Sequence, residues 1–562
     1  MFTDEEKNIL KKYVTSTEED VYAVKGMEGM VGAAYARYSR ATGGFREVLL
    51  KEFIKEGIID PKHADQLIER ILIAFGDDSV GELEGAHVSF ENISMLATKE
   101  IEDRRIGGSP IEQSTRYVFY DMKTSPLSPP YQGGERGGEW RYLKDESLTK
   151  ASFGDEYLSA MDFIFETYAS LVEPMKQYYS KLKPLESAEY DINGDGIKEK
   201  FSDLKDEKST KSFRITYNTD LRTKSCDTIR ALLPLATLTN VGMFGNGRFY
   251  QTLISHLLTS NIPEVKNIGE KTFKATSEII PQYVRRAKRS EYQAEIRQNM
   301  FQLAASEFNS PHPEIPDTLP RLELLENPND LQTGLLTAMV YPYGNISWKN
   351  LKNKISRLSG QKKDTLIKTF FGERKNRRDR PGRGLETGYP LTFDLVTNWG
   401  VYKDLMRHRM NTQLRQLFTT EIGFEIPEDL ISAGFRDKVQ ECVDQADLLF
   451  KLIAKEDPIL AQYAVLHGHY IRWSLGINAR EAFHLLELRT VAQGHWQYRR
   501  AAQEMHKLIL KRLPWLGEAM KFVDHKDYFW SRADSEARQR AAEDVLDKKI
   551  ETDTLDKMTP IT

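Results

Sequence analysis

Several features are scarce in this sequence, and each scarcity excludes a class of protein. Only two cysteines, Cys226 and Cys442, occur in 562 residues, which excludes a disulfide framework and a cysteine-rich metal site. No apolar run approaches the roughly 20 residues that span a bilayer, and the charged start MFTDEEKNILKKY has no signal-peptide core. The net charge of -4 gives no overall attraction to nucleic acid. We therefore expect a cytoplasmic enzyme or binding protein that does not contact membranes.

The length of the chain predicts more than one domain, because a single core rarely grows beyond about 250–300 residues. Residues 306–330 carry five prolines and little periodicity, so we predict an inter-domain linker there. The predicted organisation is an N-terminal domain (1–305), this linker, a C-terminal domain (331–545) and a polar tail (546–562).

Helical patterning dominates the first half of the chain. The segment HADQLIERILIAF at 63–75 is one example. Another is FENISMLATKEIEDRR, in which four apolar residues recur at three- and four-residue steps and predict one buried helix face: Ile93, Leu96, Ala97 and Ile101.

A short segment of the first half is dense in hydrogen-bonding groups. It reads DRRIGGSPIEQSTRY at 103–117, and Gly107 and Gly108 end the preceding helix. The groups that could cradle a phosphate are Ser109, Glu112, Gln113, Ser114 and Arg116. An exposed surface turn is the alternative interpretation of the same segment.

Two basic segments lie in the second half. Arg407, His408 and Arg409 form a triplet at the end of an amphipathic stretch, and such donors suit a phosphate or a carboxylate. The segment ERKNRRDRPGRG at 373–384 could hold a cofactor phosphate or a polynucleotide. Both segments could equally be solvated surface.

Together the motifs resemble one signature, that of the flavin-dependent thymidylate synthases: Arg-His-Arg, two residues, Ser, and a Glu-x-Ser-x-Arg-Tyr ending. Residues 104–117 match it without a gap and keep the ending, but Arg105 and Ile106 replace the His and the second Arg. The second half keeps the Arg-His-Arg triplet, whereas Arg415 and Thr419 replace the Glu and the final Arg.

Downstream positions agree with this resemblance. The family has an Arg sixteen residues before an Asn-x-Arg pair, and a later Arg on the helix that follows. The first half keeps Arg230, Asn246 and Arg248, with Leu257 at the later position. The second half keeps Asn478, Arg480 and Arg489, with Gln462 at the first position and His484 on the same helix. An ordered series in both halves indicates a tandem duplication.

The resemblance implies a fold and a reaction. It implies an α+β, helix-dominated chain of two tandem modules, each with a small mixed or antiparallel sheet flanked by long helices. Members of the family are homotetramers that transfer a one-carbon unit from methylenetetrahydrofolate to dUMP. FAD, reduced by NADPH, delivers the hydride, and no cysteine attacks the pyrimidine.

The resemblance also implies roles for individual residues. The nucleotide cradle would comprise Glu112, Ser114, Arg116, Arg230 and, reaching in from the neighbouring module as the catalytic arginine, Arg489. Flavin-type positions would be Arg407, His408, Arg409, Asn478, Arg480 and His484, with Ser109, Asn246 and Arg248 in the first half. Because the losses are complementary, we expect one composite site per chain and a homodimer that reproduces the family's four modules.

Two other functions fit the sequence. The chain could be a divergent FAD- or nucleotide-binding paralogue that has lost methyl transfer. It could also be a scaffold or nucleic-acid-binding protein that uses the basic segment at 373–384, although the net charge makes a nucleic-acid partner a weak candidate.

Overall fold

The structure is a computed structural model that describes most of residues 2–530. The residues within this range that it does not describe are 21, 28–30, 39–43, 56–57, 60–81, 104–105, 124–137, 194, 196, 292, 296–297, 299–311, 326–327, 341–347, 375–380, 382–384 and 386–389. The chain divides into two compact units. Unit 1 comprises Met1–Gln113, Leu143–Ser147 and Ala236–Pro311. Unit 2 comprises Ser114–Tyr142, Leu148–Leu235 and His312–Thr562.

These units do not follow the predicted domain boundaries. Two long segments of the predicted N-terminal domain, Ser114–Tyr142 and Leu148–Leu235, belong to unit 2. Part of the predicted linker is also folded, because Arg321–Leu324 forms a strand whose last residue is 1% exposed. Backbone pairing and burial of Leu324 outweigh the effect of the surrounding prolines. The division into sequence modules stays a prediction.

Unit 1 contains a three-stranded antiparallel sheet and short helices. The strands are β1 (Ile54–Lys55), β2 (Ile58–Ile59), β3 (Gly85–Ser94), β4 (Gly108–Glu112) and β7 (Leu238–Asn246). The helices are α1 (Asp4–Leu10), α2 (Val31–Tyr38), α3 (Phe45–Val48), α4 (Met95–Glu102), α5 (Glu146–Thr149), α8 (Gly247–Leu258), α9 (Pro263–Ser277) and α10 (Pro281–Val284). Strand β7 lies in the centre, between β3 and β4.

The strand-to-helix junction of unit 1 differs from the periodicity expected for it. Ile93 belongs to β3, which is irregular next to Asn92 (φ 54°), and the helix begins only at Met95. The Ser94 side chain accepts a hydrogen bond from the Ala97 N–H and caps α4. Leu96, Ala97 and Ile101 are buried as predicted. The cap explains the later start, because a capping residue takes extended backbone angles.

Unit 2 contains a four-stranded antiparallel sheet and most of the long helices. The strands are β5 (Glu189–Tyr190), β6 (Glu199–Lys200), β8 (Arg321–Leu324), β9 (Leu391–Asn398), β10 (Asn411–Arg415) and β11 (Tyr470–Ile477), of which the last four form the sheet in the order β10-β11-β9-β8. The helices are α6 (Gly154–Leu182), α7 (Glu207–Ile229), α11 (Pro328–Val340), α12 (Trp348–Ser356), α13 (Gly360–Phe371), α14 (Trp399–Leu405), α15 (Glu428–Ser432), α16 (Arg436–Ala454), α17 (Ala479–Arg489), α18 (Trp496–Arg512) and α19 (Pro514–Ala519).

Both units repeat one arrangement. In each, a strand leads through a capped helix to a second strand, and a later strand inserts between them (β3-β7-β4 and β9-β11-β10). The inserted strand ends in an Asn whose side chain caps the next helix, Asn246 for α8 and Asn478 for α17. The internal repeat expected from the motifs is therefore visible as a repeated topology.

Inside unit 2, the two sequence halves meet with a local two-fold pairing. Pro234 and Leu466 form an antiparallel bridge, flanked by bonds from Leu235 N to Val465 O and from His467 N to Leu233 O, each 2.9 Å long. The motif alignment equates Arg230 with Gln462, and therefore Pro234 with Leu466. Equivalent positions that face each other are typical of a two-fold contact between copies.

The fold class predicted from the sequence is confirmed: the chain is helix-dominated, with small antiparallel sheets. Within the described ranges, no helix is both long and apolar enough to cross a membrane. The predicted helix at 63–75 and the tail at 546–562 lie outside the described residues.

Candidate functional site

Arg116 of the first half is held in unit 2 by a buried carboxylate. Its Nε and Nη2 donate to the two oxygens of Asp227 at 2.7 and 2.6 Å, and its Nη1 donates to the Gln493 carbonyl at 2.7 Å. Burial raises the pKa of the Asp227 carboxyl, but the charge of Arg116 outweighs that effect and the net pKa is lowered. Both partners are therefore ionised, and the guanidinium is fixed in one orientation.

Arg230 lies in the first turn beyond α7 and pairs with a carboxylate of the second half. Its Nη2 donates to the Asp404 carboxylate at 3.1 Å, and the Arg230 side chain is 3% exposed. Asp404 lies near the end of α14. Burial raises the pKa of the Asp404 carboxyl, but the charges of Arg230 and Arg407 lower it by more. The net pKa is well below the usual range.

His408 connects a carboxylate to Arg489. The Arg489 Nε donates to His408 Nε2 at 2.9 Å, so this nitrogen carries no proton. The His408 Nδ1–H therefore donates to Glu481, at 2.6 Å. Burial lowers the pKa of His408 to about 4, although Glu481 acts in the opposite direction. The imidazole is thus neutral at pH 7, and it positions the arginine without adding a charge.

Arg489 lies at the end of α17 beside other groups of the cluster. Its guanidinium carbon is 5.7 Å from the centre of the Tyr498 ring, and its side chain is only partly buried. Burial lowers the pKa of Arg489, and the cation of Arg407 acts in the same direction. The charge of Asp404 also acts on both Arg116 and Arg489, so these arginines belong to one electrostatic cluster.

His495 completes the cluster from the turn before α18. Its Nδ1 accepts from the Gln497 N–H at 3.2 Å and caps α18, so its Nε2–H donates to the Asp227 carbonyl at 3.0 Å. Burial, aided by Arg230, lowers the pKa of His495 to about 3. A neutral His495 leaves the arginines of this cluster in excess over its two aspartates, which favours an anionic ligand.

The flavin-type residues of the second half lie on α17 and on the turn after α14. Arg407 and Arg409 are exposed on the turn after α14, and Arg480 is partly exposed in the first turn of α17. Such cations suit the pyrophosphate of FAD, so the residues present fit this cofactor. Asn478 serves as the cap of α17, and the His484 ring lies edge-on to His408 at 5.2 Å.

One group of these side chains has the spacing of metal ligands. Ligand atoms of His408, Glu481 and His484 lie within 4.8 Å of one another. Both ring nitrogens of His408 already make hydrogen bonds, and a guanidinium lies 2.9 Å from one of them. Repulsion by that cation disfavours a metal ion at these three side chains.

Four predicted residues lie in unit 1 instead. Ser109 and Glu112 are in β4, and Glu112 accepts from the fully buried Lys99 at 3.0 Å. Asn246 caps α8, and Arg248 forms an exposed ion pair with Glu82 at 2.6 Å. These four residues belong to unit 1, and their predicted binding roles stay predictions.

Ser114 and the basic segment have local partners. The Ser114 hydroxyl accepts from the Arg116 N–H at 3.3 Å, which fixes the backbone beside that arginine.

Arg374, in the basic segment, is 8% exposed and makes two bonds to Glu487, at 2.8 and 2.7 Å. This arginine is a buried structural residue and not part of a solvated binding loop. Most of 375–384 lies outside the described residues.

The sequence motifs did not identify the groups that hold the arginines. Asp227 lies one helical turn before Arg230, and Asp404 lies three residues before Arg407, but neither belongs to the motifs. Both aspartates are buried and therefore need a cation, but polar residues surround Asp227 in α7, so no apolar pattern indicates its burial. His495 gave no signal beyond its place before an amphipathic helix.

The comparisons with known proteins agree with the motifs. The family model described as "Thymidylate synthase complementing protein" matches residues 25–282 and 335–515, once in each half. Among solved structures, this chain is similar to a UMP/dUMP methylase from Streptomyces cacaoi bound with 5-Br dUMP. That match has 18% identity and a TM-score of 0.28, and covers 37% of this chain and 97% of the other.

Other relatives match this chain over 90% or more of its length. This chain is 34% identical to a UPF0159 protein of Chlamydia muridarum, over 96% of this chain and 99% of the relative. It is 29% identical to a UPF0159 protein of Thermoplasma acidophilum, over 90% and 98% respectively. With both halves matched by the family model, the chain belongs to the thymidylate synthase complementing protein family.

Proposed function

We propose that the protein methylates dUMP to dTMP, with methylenetetrahydrofolate as carbon donor and FAD reduced by NADPH, at a composite site formed by both sequence halves. The observation that carries the proposal is the cluster in unit 2: Arg116 and Arg230 come from the first half, and Arg407, His408 and Arg489 come from the second. Each half retains the arginines that the other has lost.

In this proposal Arg116 and Arg230 receive the nucleotide phosphate. Both are held rigidly by Asp227 and Asp404, so little side-chain entropy is lost when a phosphate binds. Arg489, partly exposed and oriented by neutral His408, is the side chain that reaches the pyrimidine. A guanidinium at a ring oxygen stabilises negative charge that develops there during substitution at carbon 5.

The cations Arg407, Arg409 and Arg480 would hold the phosphates of FAD, and His484 would lie beside its ring system. When bound, the reduced flavin supplies the hydride. Glu112, Ser109, Asn246 and Arg248 stay candidates for additional contacts. We further propose a cytoplasmic homodimer, because two chains would supply the four modules of the family's tetramer.

The test compares arginines of the cluster with a matched arginine outside it. Arg415 donates to the Tyr402 hydroxyl at 3.1 Å and occupies the Glu position of the motif. Arg116→Ala and Arg489→Ala should each reduce tritium release from 5-labelled dUMP at least about 100-fold, since each removes a charge-assisted contact. Arg415→Ala should leave it within about threefold.

Two results would contradict the proposal. Equal losses in all three variants would mean that the cluster has no special role. A purified protein without flavin absorbance, which also fails to bind added FAD, would exclude a flavin enzyme.

One observation favours a second candidate, a nucleotide- or FAD-binding protein without methyl transfer. Arg116 and Arg230 each already have a carboxylate partner, Asp227 and Asp404 respectively. This partial neutralisation reduces the attraction for a phosphate dianion. The second candidate is correct if the protein binds FAD, binds deoxyuridine as tightly as dUMP, and releases no tritium.

A further inference from the structure

Residues 520–530 follow α19 without forming a helix or a strand, and we call them the C-terminal strap. One of the strap's contacts is with Thr490, which ends α17 and directly follows Arg489. The Asp524 N–H of the strap donates to the Thr490 hydroxyl at 3.0 Å, and the Asp524 carbonyl accepts from the Gln503 amide at 2.9 Å. The strap therefore contacts α17 at the position next to Arg489.

Arg499 joins the strap to the same end of α17. This fourth residue of α18 is 4% exposed, and its Nε donates to the Thr490 carbonyl at 2.9 Å. Its Nη2 donates to the Lys526 carbonyl of the strap at 2.9 Å, and its guanidinium carbon is 4.9 Å from the centre of the Tyr528 ring. A cation is favourable at the last carbonyls of a helix, because that end carries partial negative charge. The rigid guanidinium thus holds two chain segments in one geometry.

Unit 1 has an equivalent contact without such an arginine. The segment after α10 donates the Ser290 N–H to the hydroxyl of Thr259, the residue that ends α8, at 3.0 Å. Helix α9 follows α8 as α18 follows α17, and its fourth residue is Lys266, which is exposed. Unit 1 is also the unit in which Leu257 stands in place of Arg489. The arrangement therefore forms without a buried arginine where the helix carries no arginine to position.

We propose that Arg499 is a positioning residue, which holds the end of α17 so that Arg489 meets the pyrimidine of the nucleotide. This inference rests on the proposed function for its substrate. His408 orients the Arg489 side chain at 2.9 Å, and Arg499 fixes the backbone beside it through Thr490. A displacement of about 1 Å at a reacting group can reduce a rate about 100-fold. Because two of its nitrogens already donate to backbone carbonyls, Arg499 acts through the helix end and not by contact with substrate.

The position of Arg499 predicts that kcat and KM respond differently to its loss. In the proposed function Arg116 and Arg230 receive the nucleotide phosphate, and Asp227 and Asp404 hold these two arginines without help from Arg499. Loss of the Arg499 contact should therefore lower kcat and leave the KM for dUMP within about threefold.

The test compares Arg499→Gln and Arg499→Lys with Arg500→Gln in the full chain. Arg500 is the next residue of the same helix, and its nearest approach to Glu425 is a weak, exposed pair at 3.9 Å. Tritium release from 5-labelled dUMP, expressed per dUMP-binding site, should fall at least about 30-fold in Arg499→Gln. Arg499→Lys, which keeps the charge but loses the planar fork, should lie between Arg499→Gln and the unchanged protein. Arg500→Gln should stay within about twofold of the unchanged protein.

A second measurement needs no substrate. Hydrogen exchange in the peptide 486–495 should be at least about tenfold faster in Arg499→Gln and unchanged in Arg500→Gln, while thermal unfolding of both variants stays cooperative. If Arg499→Gln does not fold, Arg499→Lys takes its place in both measurements. Unchanged exchange in this peptide, or a loss of dUMP affinity as large as the loss of kcat, would overturn the proposal. An unsubstituted protein that releases no tritium would count against the proposed function, and the exchange comparison would then decide whether Arg499 holds this helix end.

Discussion

The two units share a three-stranded arrangement but differ in how they use buried charge. In unit 1, the buried Lys99 is enclosed by Glu102 and Glu112 at 2.7 and 3.0 Å. In unit 2, Arg116 and Arg230 each pair with one aspartate, whereas Arg489 donates to the neutral His408 and lies beside the Tyr498 ring. The first pattern neutralises its cation completely, and the second leaves positive charge for a ligand.

The two units also differ in the residue at one equivalent helix position. Leu257 in α8 and Arg489 in α17 lie at equal distances from the Asn caps of their helices. Leu257 is fully buried and packs in the core of unit 1, whereas Arg489 is partly exposed. After duplication, one copy of the position became part of a core while the other kept an arginine.

The largest effect on stability should come from removing a buried carboxylate of unit 2. Asp227→Asn leaves the Arg116 guanidinium without its countercharge, and we expect a loss of about 3–5 kcal/mol in the free energy of unfolding. It should also weaken dUMP binding. Urea denaturation and dUMP titration measure the two effects.

In unit 1, the buried Glu264 accepts from the Ser94 N–H at 2.7 Å and from the Ser94 hydroxyl at 2.6 Å. The matched change Glu264→Gln keeps one oxygen to accept from Ser94. We expect a loss of about 1–2 kcal/mol and unchanged dUMP affinity. If Glu264→Gln weakened dUMP binding as much as Asp227→Asn, the contrast between the two units would be wrong.

Acid should destabilise unit 2 before unit 1. Burial lowers the pKa of three unit 2 histidines: His408 and His469 to about 4, and His495 to about 3. In each case the unfolded chain binds the proton more readily, so the stability is present above pH 6.5 and is lost as the pH falls towards 4. Each of these shifts corresponds to roughly 3–5 kcal/mol of stability that is present at neutral pH and lost in acid.

Hydrogen exchange at pH 7 and pH 5 checks this expectation peptide by peptide. Protection in β9 and β11 should fall more than protection in β3 and β7. An equal fall in both sheets would show that the buried histidines do not distinguish the units.

The smallest effect should come from the helix caps, and it should be equal in the two units. Asn246 accepts from the Phe249 N–H and Asn478 from the Glu481 N–H, each at 2.8 Å. Asn246→Ala and Asn478→Ala should each destabilise by about 1 kcal/mol. Thermal unfolding measures both, and Asn→Asp at the same positions, which keeps the acceptor, is the control. A large excess for Asn478→Ala would indicate a role beyond capping.

The sequence predicted the elements that depend on local pattern and repeated motifs. The helix share, the small sheets and the duplication are confirmed, because periodicity and motif spacing are properties of neighbouring residues. The assignment of Arg116 and Arg230 to the same compact unit as Arg489 could be proposed only from the family resemblance, since it depends on contacts between residues more than 250 positions apart.

Other features depended on tertiary context. The strand at Arg321–Leu324 was hidden in a proline-rich segment, because its stability comes from pairing with β9. The partners Asp227, Asp404 and His495 were missed because a single sequence does not show which buried polar groups meet.

The bridge between Pro234 and Leu466 has a genetic consequence. In an assembly of identical subunits, any substitution near a two-fold axis enters on both sides at once, so a useful change on one side brings its copy on the other. Here the two sides are encoded separately, and they have already diverged: one carries Arg230, and the other carries Gln462, which bonds the Phe418 N–H at 3.1 Å. A point mutation in this chain is therefore equivalent to altering a single subunit of a dimer, which allows each side to be studied without the other.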